Sequence, residues 1–171
     1  MSFGAMEGQD VTMLAGLRFA SIQIGLVLFW AIWLTVVTTT NILDAMKQLG
    51  ALPARFAVVS YNFELIEKTV GAHGIPTTVA AVLFAGVVAW ELLASVLLWR
   101  AWLTMYRGAP GTAPEVMQAF AVSLAIWAAF LIATEMTVSY ATAATHKATL
   151  TAQLVSLIVI RGRRRPEEPT G

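Results

Sequence analysis

The sequence predicts an all-α fold: an integral membrane four-helix bundle with an extracytoplasmic amphipathic helix between spans one and two. Its 171 residues are 58% hydrophobic and only 12% charged, with a mean hydropathy of +0.72, whereas about 25% of residues are charged in an average soluble domain. A helix needs about 20 apolar residues to cross a bilayer. Four stretches approach that length, at residues 19–40, 78–99, 116–137 and 142–160. The connection between the first two is long enough to hold a further helix.

These stretches leave little chain for a separate soluble domain, so we predict a single membrane domain over residues 1–171. The segment before the first span contains Glu7 and Asp10 but no basic residue up to Leu17. Because the first region of a signal peptide is positively charged, we expect the first span to be retained. The chain contains no cysteine, which excludes a disulfide, an iron–sulfur cluster and a thiolate metal site.

The positions of Lys and Arg predict how the four spans are oriented. One side of the membrane would carry seven basic residues, namely Arg18, Arg100, Arg107, Arg161, Arg163, Arg164 and Arg165. The other side would carry four, namely Lys47, Arg55, Lys68 and Lys147. Since cytoplasmic loops carry the excess of Lys and Arg, we expect a bacterial inner (plasma) membrane protein with both termini in the cytoplasm. Residues 161–171 are then a basic stop followed by a disordered cytoplasmic tail.

The outer loop, residues 41–75, is predicted to contain an amphipathic helix. Apolar residues recur in it at three- and four-residue spacing, namely Phe56, Val59, Phe63, Ile66 and Val70. Charged and amide side chains fill other positions, which is the pattern of a helix with one apolar face. Pro53 precedes the pattern, and Gly71, Gly74 and Pro76 follow it, so residues that interrupt helices mark both ends. We expect this helix to lie on the outer surface of the bilayer or to cap the bundle.

Glu91 and Glu135 are acidic residues inside predicted spans. An ionisable side chain at the centre of a membrane helix costs at least about 2.5 kcal/mol on insertion scales, so it marks a buried contact or a working site. At about 1.5 Å per residue from Pro76, Glu91 lies near the bilayer midplane, and Glu135 lies roughly 10 Å or more further outward. In one interpretation, protonated Glu91 donates a hydrogen bond within the bundle. In the other, the two acids carry protons, a cation or a ligand.

Aromatic and histidine side chains are weaker candidates for a site. Four tryptophans lie well inside the spans, namely Trp30, Trp33, Trp90 and Trp127. In a small bundle such residues favour packing between helices or against lipid, and a pigment or quinone pocket is the alternative. His73 and His146 fall on the outer side, in different segments and without a metal-ligand motif, so a metal site is the weaker interpretation of them. We predict no metal and no cofactor.

Several short motifs together resemble a known family. They are Asn41 with Asp44, the Phe56-Ala57-Val58-Val59 stretch, Trp90-Glu91 followed by Leu97-Leu98-Trp99, Glu135 before Ser139-Tyr140, and Gln153. On these residues the chain resembles a divergent member of the bacterial predicted small integral membrane proteins, a domain-of-unknown-function family with the number two-one-six-five. The resemblance covers most of residues 19–160. It implies a four-span bundle with a large outer loop, and it implies no known activity.

The sequence contains no nucleophile paired with a base, no phosphate-binding loop and no nucleic-acid-binding surface, so we predict that the protein is not an enzyme. The interpretation we favour is an accessory or scaffold subunit of a larger inner-membrane complex. Its partners would be the lipid bilayer and either other membrane-protein subunits or further copies of the chain. One alternative is a small proton- or ion-coupled transporter that uses Glu91 and Glu135. A weaker alternative is a membrane anchor associated with quinone or haem.

Overall fold

A computed structural model describes residues 4–138, 140 and 142–162, with side chains from Phe19 onward. Five helices follow one another along the chain, namely α1 (Gly4–Gln48), α2 (Asn62–Gly71), α3 (Thr77–Tyr106), α4 (Pro114–Met136) and α5 (Ala143–Arg161). The described residues contain no strand, which confirms the predicted all-α fold. Four of the helices are long and apolar enough to cross a membrane, namely Phe19–Gln48 of α1, α3, α4 and α5.

The four long helices form an antiparallel bundle. Helix α3 packs against α1 on one side and α4 on the other, and α4 packs against α5. Large apolar side chains are fully buried between them, including Val27, Leu34, Leu98, Phe120, Ile126 and Ile160. Helix α5 meets α1 through Gln23, whose amide donates to the carbonyl oxygens of Val159 at 3.1 Å and Ile160 at 2.8 Å. We call the end of the bundle that carries α2 the loop end, and the end that carries residues 107–113 the tail end.

At the loop end, α2 lies against α3 and α1 as a cap on the bundle. Its Phe63 ring packs edge-on against Phe84 of α3, with 5.7 Å between the ring centroids. Val70 near its end is also buried, whereas Glu64, Leu65 and Lys68 are exposed. The short helix therefore buries one apolar face against the bundle, as its hydrophobic spacing predicts.

The structure corrects the extent of several segments. Helix α1 continues to Gln48 instead of ending at residue 40, and α3 continues to Tyr106 instead of ending at residue 99. The amphipathic helix begins at Asn62, so Phe56 and Val59 precede it. The reason is local: Tyr61 has the left-handed backbone angle φ 59°, which interrupts a helix. Helix α2 therefore begins at the next residue, Asn62.

Two connections complete the bundle. The turn between α4 and α5 falls between Met136 and Ala143, within the predicted region, and residues 139 and 141 lie outside the described residues. The predicted tail is described only up to Gly162, so residues 163–171 lie outside the described part of the chain. At the tail end, the turn from α3 to α4 passes close to the end of α5. A Cβ atom at Gly111 would collide with the carbonyl oxygen of Ile160, so this position needs glycine.

Candidate functional site

Glu91 is fully enclosed in the bundle, with 1% of its surface exposed. Its Oε2 accepts a hydrogen bond of 2.6 Å from the Nδ2 of Asn41, which is itself 0% exposed on α1. Asn41 lies seven residues before the end of α1 at Gln48, which corresponds to about 10 Å of helix. Although Glu91 occupies the middle of α3, the site therefore lies in the half of the bundle nearer the loop end.

Further hydrogen bonds connect Glu91 to a second buried carboxylate, Asp44. The Oδ1 of Asn41 accepts from the Nδ2 of Asn62 at 2.8 Å. The backbone N–H of Asn62 donates to the Oγ of Ser60 at 3.2 Å, and that hydroxyl donates to the Oδ2 of Asp44 at 3.1 Å. An unbroken series of four hydrogen bonds thus runs from Glu91 through α1, α2 and the loop to Asp44. We call these five side chains the Glu91–Asp44 network.

Asp44 holds the start of α2 in place. Its Oδ2 also accepts from the backbone N–H of Phe63, the second residue of α2, at 3.0 Å. The first N–H groups of a helix have no partner within the helix, and the helix dipole favours negative charge there. Asp44 therefore caps α2 from a different helix, with Ser60 supplying the neighbouring acceptor. This interaction explains why α2 begins at Asn62.

Lys47 continues the polar face of α1 that carries Asn41 and Asp44, since the three lie at three-residue spacing. Its Nζ donates to the carbonyl oxygen of Phe56 at 2.9 Å and lies 5.1 Å from the centre of the Tyr61 ring. A cation over an aromatic ring is attracted by the electrons of the ring face. Lys47 consequently fixes the loop before α2, and its charge is directed to that loop.

The two buried acids are held by hydrogen bonds and not by ion pairs. Within the described residues, no Lys, Arg or His side chain pairs with Glu91 or Asp44. The Oδ1 of Asp44 is buried and has no hydrogen-bond partner in the part of the chain that the structure describes. No set of three or more His, Asp or Glu side chains in the described part of the chain is arranged to hold a metal ion. Among the described residues, the network therefore offers oxygen atoms but neither an ion pair nor a base paired with a nucleophile.

The structure does not bring Glu135 to Glu91. Glu135 is exposed near the end of α4, and the described residues show no hydrogen bond between the two acids or through a shared partner. The two acids that share one hydrogen-bond network are instead Glu91 on α3 and Asp44 on α1. Asp44 follows the predicted end of the first span at residue 40.

The four tryptophans occupy different environments. Trp30 is buried and donates to the Oγ of Ser156 at 2.9 Å, whereas Trp90 is partly exposed and donates to the carbonyl oxygen of Val122 at 3.2 Å. Trp33 and Trp127 lie 5.4 Å apart, centroid to centroid. The indole Nε1 of Trp127 has no hydrogen-bond partner in the described part of the structure. Three of the four thus pack within the bundle.

The histidines are separated. His146 on α5 packs against Phe130, with ring centroids 5.1 Å apart, and lies 6.2 Å from Trp127. His73 is exposed beyond the end of α2, with its Nδ1 3.1 Å from the carbonyl oxygen of Thr69. Neither ring faces a carboxylate in a metal-binding arrangement within the described residues. The surroundings of His146 are aromatic, which suits packing.

Glu91 could be identified as a candidate from the sequence, whereas Asn62 and Ser60 could not be assigned a structural role from it. Asn41 and Asp44 stood out only by the family resemblance. One signal in the sequence could have singled them out: two strongly polar residues three positions apart, directly after an apolar span, share one face of a continuing helix. Finding their partners requires the tertiary structure, because the contacts cross 16 to 50 residues of chain.

Comparison with known proteins adds no relative to this description: no family model, no curated protein and no solved structure matches the chain.

Proposed function

We propose that the protein is a non-enzymatic accessory or scaffold subunit of a larger complex in a bacterial inner membrane, with both termini in the cytoplasm. The observation that carries this proposal is the inward direction of the Glu91–Asp44 network. Its side chains connect α1, α2 and α3 to one another. Polar groups that bond across helices stabilise a membrane bundle. Glu91 accordingly supports the architecture of the bundle.

Other polar groups inside the spans serve the same purpose. Ser123 and Gln153 exchange hydrogen bonds of 3.1 and 2.7 Å between α4 and α5. Thr35 contacts Ser95 at 2.8 Å and accepts from the indole of Trp99 at 3.0 Å, which connects α1 to α3. Because these groups are engaged within the chain, they favour a structural role over a polar path through the bundle.

The outward surface is apolar and suits lipid or a neighbouring membrane subunit. Its exposed side chains include Val82, Leu93, Val96, Ile132 and Ile158. A bilayer-facing helix presents such residues to hydrocarbon, and the same surface can pack against another membrane helix. The resemblance to predicted small integral membrane proteins is consistent with this proposal and remains part of it.

The transporter alternative, in its form with Glu91 and Glu135, receives less support. The two acids lie on different parts of the bundle, and Glu135 is exposed while Glu91 is enclosed. A proton path from one to the other would need intermediate groups, and the described hydrogen bonds of Glu91 lead to Asn41 instead.

The proposal is tested by purifying the tagged full chain from its native membrane in a mild detergent and identifying proteins that co-migrate on a native gel. We expect a complex larger than the chain alone, containing the same partner proteins in repeated preparations. The variant Glu91→Gln should assemble equally well, and the exposed Glu135→Gln serves as its matched control. A chain that migrates alone, combined with proton flux in liposomes that disappears in Glu91→Gln, would instead establish the transporter.

A further inference from the structure

We propose that Asp44 of α1 binds a monovalent metal cation beside the loop that precedes α2 and the first turn of α2. This inference is independent of the scaffold proposal. The first observation is the enclosure of Asp44: the residue is 0% exposed, and its Oδ1 has no hydrogen-bond partner among the described residues. A buried acceptor left without a partner costs about 1–3 kcal/mol, and more when the group is charged. A ligand that contacts Oδ1 would remove this cost.

The second observation is that both hydrogen bonds to Asp44 reach the same oxygen. Oδ2 accepts from both the Ser60 hydroxyl and the Phe63 N–H, at the start of a helix, where the helix dipole favours negative charge. Burying a polar oxygen without a partner is unfavourable. In the described part of the structure, no basic side chain contacts Oδ1.

The side-chain donors near Asp44 bond to acceptors other than its Oδ1. The amide of Asn41 donates to Glu91, that of Asn62 donates to Asn41, and the Ser60 hydroxyl donates to Oδ2. Lys47, the basic residue on the same face of α1, donates to the loop carbonyl of Phe56. The network is otherwise rich in oxygen, with carboxylate, amide and hydroxyl oxygens. Oxygen ligands are those that hard metal cations prefer.

The number of acidic groups favours a single positive charge. Calcium takes six to eight oxygen ligands, and magnesium requires near-octahedral coordination and keeps several waters. The described residues contain no group of three acidic or histidine side chains for such an ion. One free carboxylate oxygen on Asp44 balances one charge, and Glu91 is already bonded through Oε2 to Asn41. Sodium is therefore the first probe.

The test measures thermal unfolding of the purified full chain in detergent as sodium chloride replaces choline chloride at constant ionic strength. A ligand that binds only the folded state stabilises it by mass action. Above the dissociation constant, we expect the Tm to rise by about 3–5 °C for each tenfold increase in sodium. Asp44→Asn should remove this dependence. Asparagine retains an oxygen for Ser60 and Phe63 and supplies an NH2 group in place of Oδ1.

The control variant is Glu135→Gln, which changes an exposed carboxylate on α4 and should keep the full sodium dependence. Direct binding of radioactive sodium to the unmutated protein gives a second readout that does not depend on the folding of Asp44→Asn; we expect one sodium per chain, displaced by lithium or potassium. A Tm and a binding signal that do not respond to any of the three ions would overturn the proposal. So would an equal sodium shift in Asp44→Asn, or a response to calcium or magnesium alone.

Discussion

Asn41 donates a hydrogen bond of 2.6 Å to Glu91 across the interface between α1 and α3, with both side chains buried. This contact joins residues 50 positions apart and gives the buried Glu91 a hydrogen-bond partner. The same asparagine accepts from Asn62 of the loop-end helix at 2.8 Å. One side chain thus couples two spans to the cap that covers them.

Two substitutions of Glu91 test whether the bundle depends on its acidic group or only on the oxygen that accepts from Asn41. Glu91→Gln retains an oxygen for Asn41, so we expect the Tm of the purified protein to stay close to that of the unmutated chain. Glu91→Leu leaves the buried Asn41 amide without its acceptor and should destabilise the bundle by roughly 1 kcal/mol, the scale of hydrogen bonds between membrane helices. Thermal unfolding in detergent measures both. Glu135→Leu, at an exposed position, is the control and should have little effect.

Asp44 should control the stability of α2 separately from that of the spans. Asp44→Ala removes the acceptor for the Phe63 N–H, and loss of a helix cap costs about 1 kcal/mol. We expect faster amide hydrogen exchange across Asn62–Gly71, measured by mass spectrometry, while α4 and α5 keep their protection. Lys68→Ala changes an exposed residue of the same helix and is the matched control. Unchanged exchange in Asp44→Ala would contradict the capping role.

Two glycines, one in the tail-end turn and one within α3, offer substitutions with opposite expectations. At Gly111, an alanine Cβ would collide with the backbone oxygen of Ile160, so the end of α5 must move. At Gly86, within α3, a Cβ meets no described atom within 4 Å, and alanine is favoured over glycine in a helix by about 1 kcal/mol. We therefore expect Gly111→Ala to lower the Tm and Gly86→Ala to maintain or raise it. Equal effects of the two would show that the contact with Ile160 is not tight.

The fold could be predicted from the sequence because length and hydropathy dominate the structure of a membrane bundle. The four spans, the helix in the long loop and the enclosure of Glu91 all follow from apolar patterning around a few polar residues. The start of α2 could not be predicted in this way. Phe56 and Val59 fit the helical spacing, but the cap supplied by Asp44 from α1 and the left-handed Tyr61 determine where the helix begins.

The hydrogen-bond partner of Glu91, Asn41, also could not be predicted from the sequence pattern. Counting residues along α3 and α4 places Glu135 further toward the loop end than Glu91, but counting does not give the rotation of α4 about its own axis, which leaves Glu135 exposed. Asn41 lies beyond the predicted end of the first span. Its approach to Glu91 depends on the continuation of α1 as a helix to Gln48 and on the packing of α1 against α3.

The orientation of the protein in the membrane can be measured with single cysteines, because the natural chain contains none and gives no background. Glu64→Cys introduces a thiol at an exposed position on α2, at the loop end, and Thr112→Cys introduces one at an exposed position in the tail-end turn. The excess of Lys and Arg at the tail end predicts that this end faces the cytoplasm.

A thiol reagent that cannot cross membranes should therefore label Glu64→Cys in intact cells and Thr112→Cys only after the cells are permeabilised. Labelling of Thr112→Cys alone in intact cells would reverse the orientation. Labelling of both before permeabilisation would contradict a bundle whose two ends lie on opposite sides of the membrane.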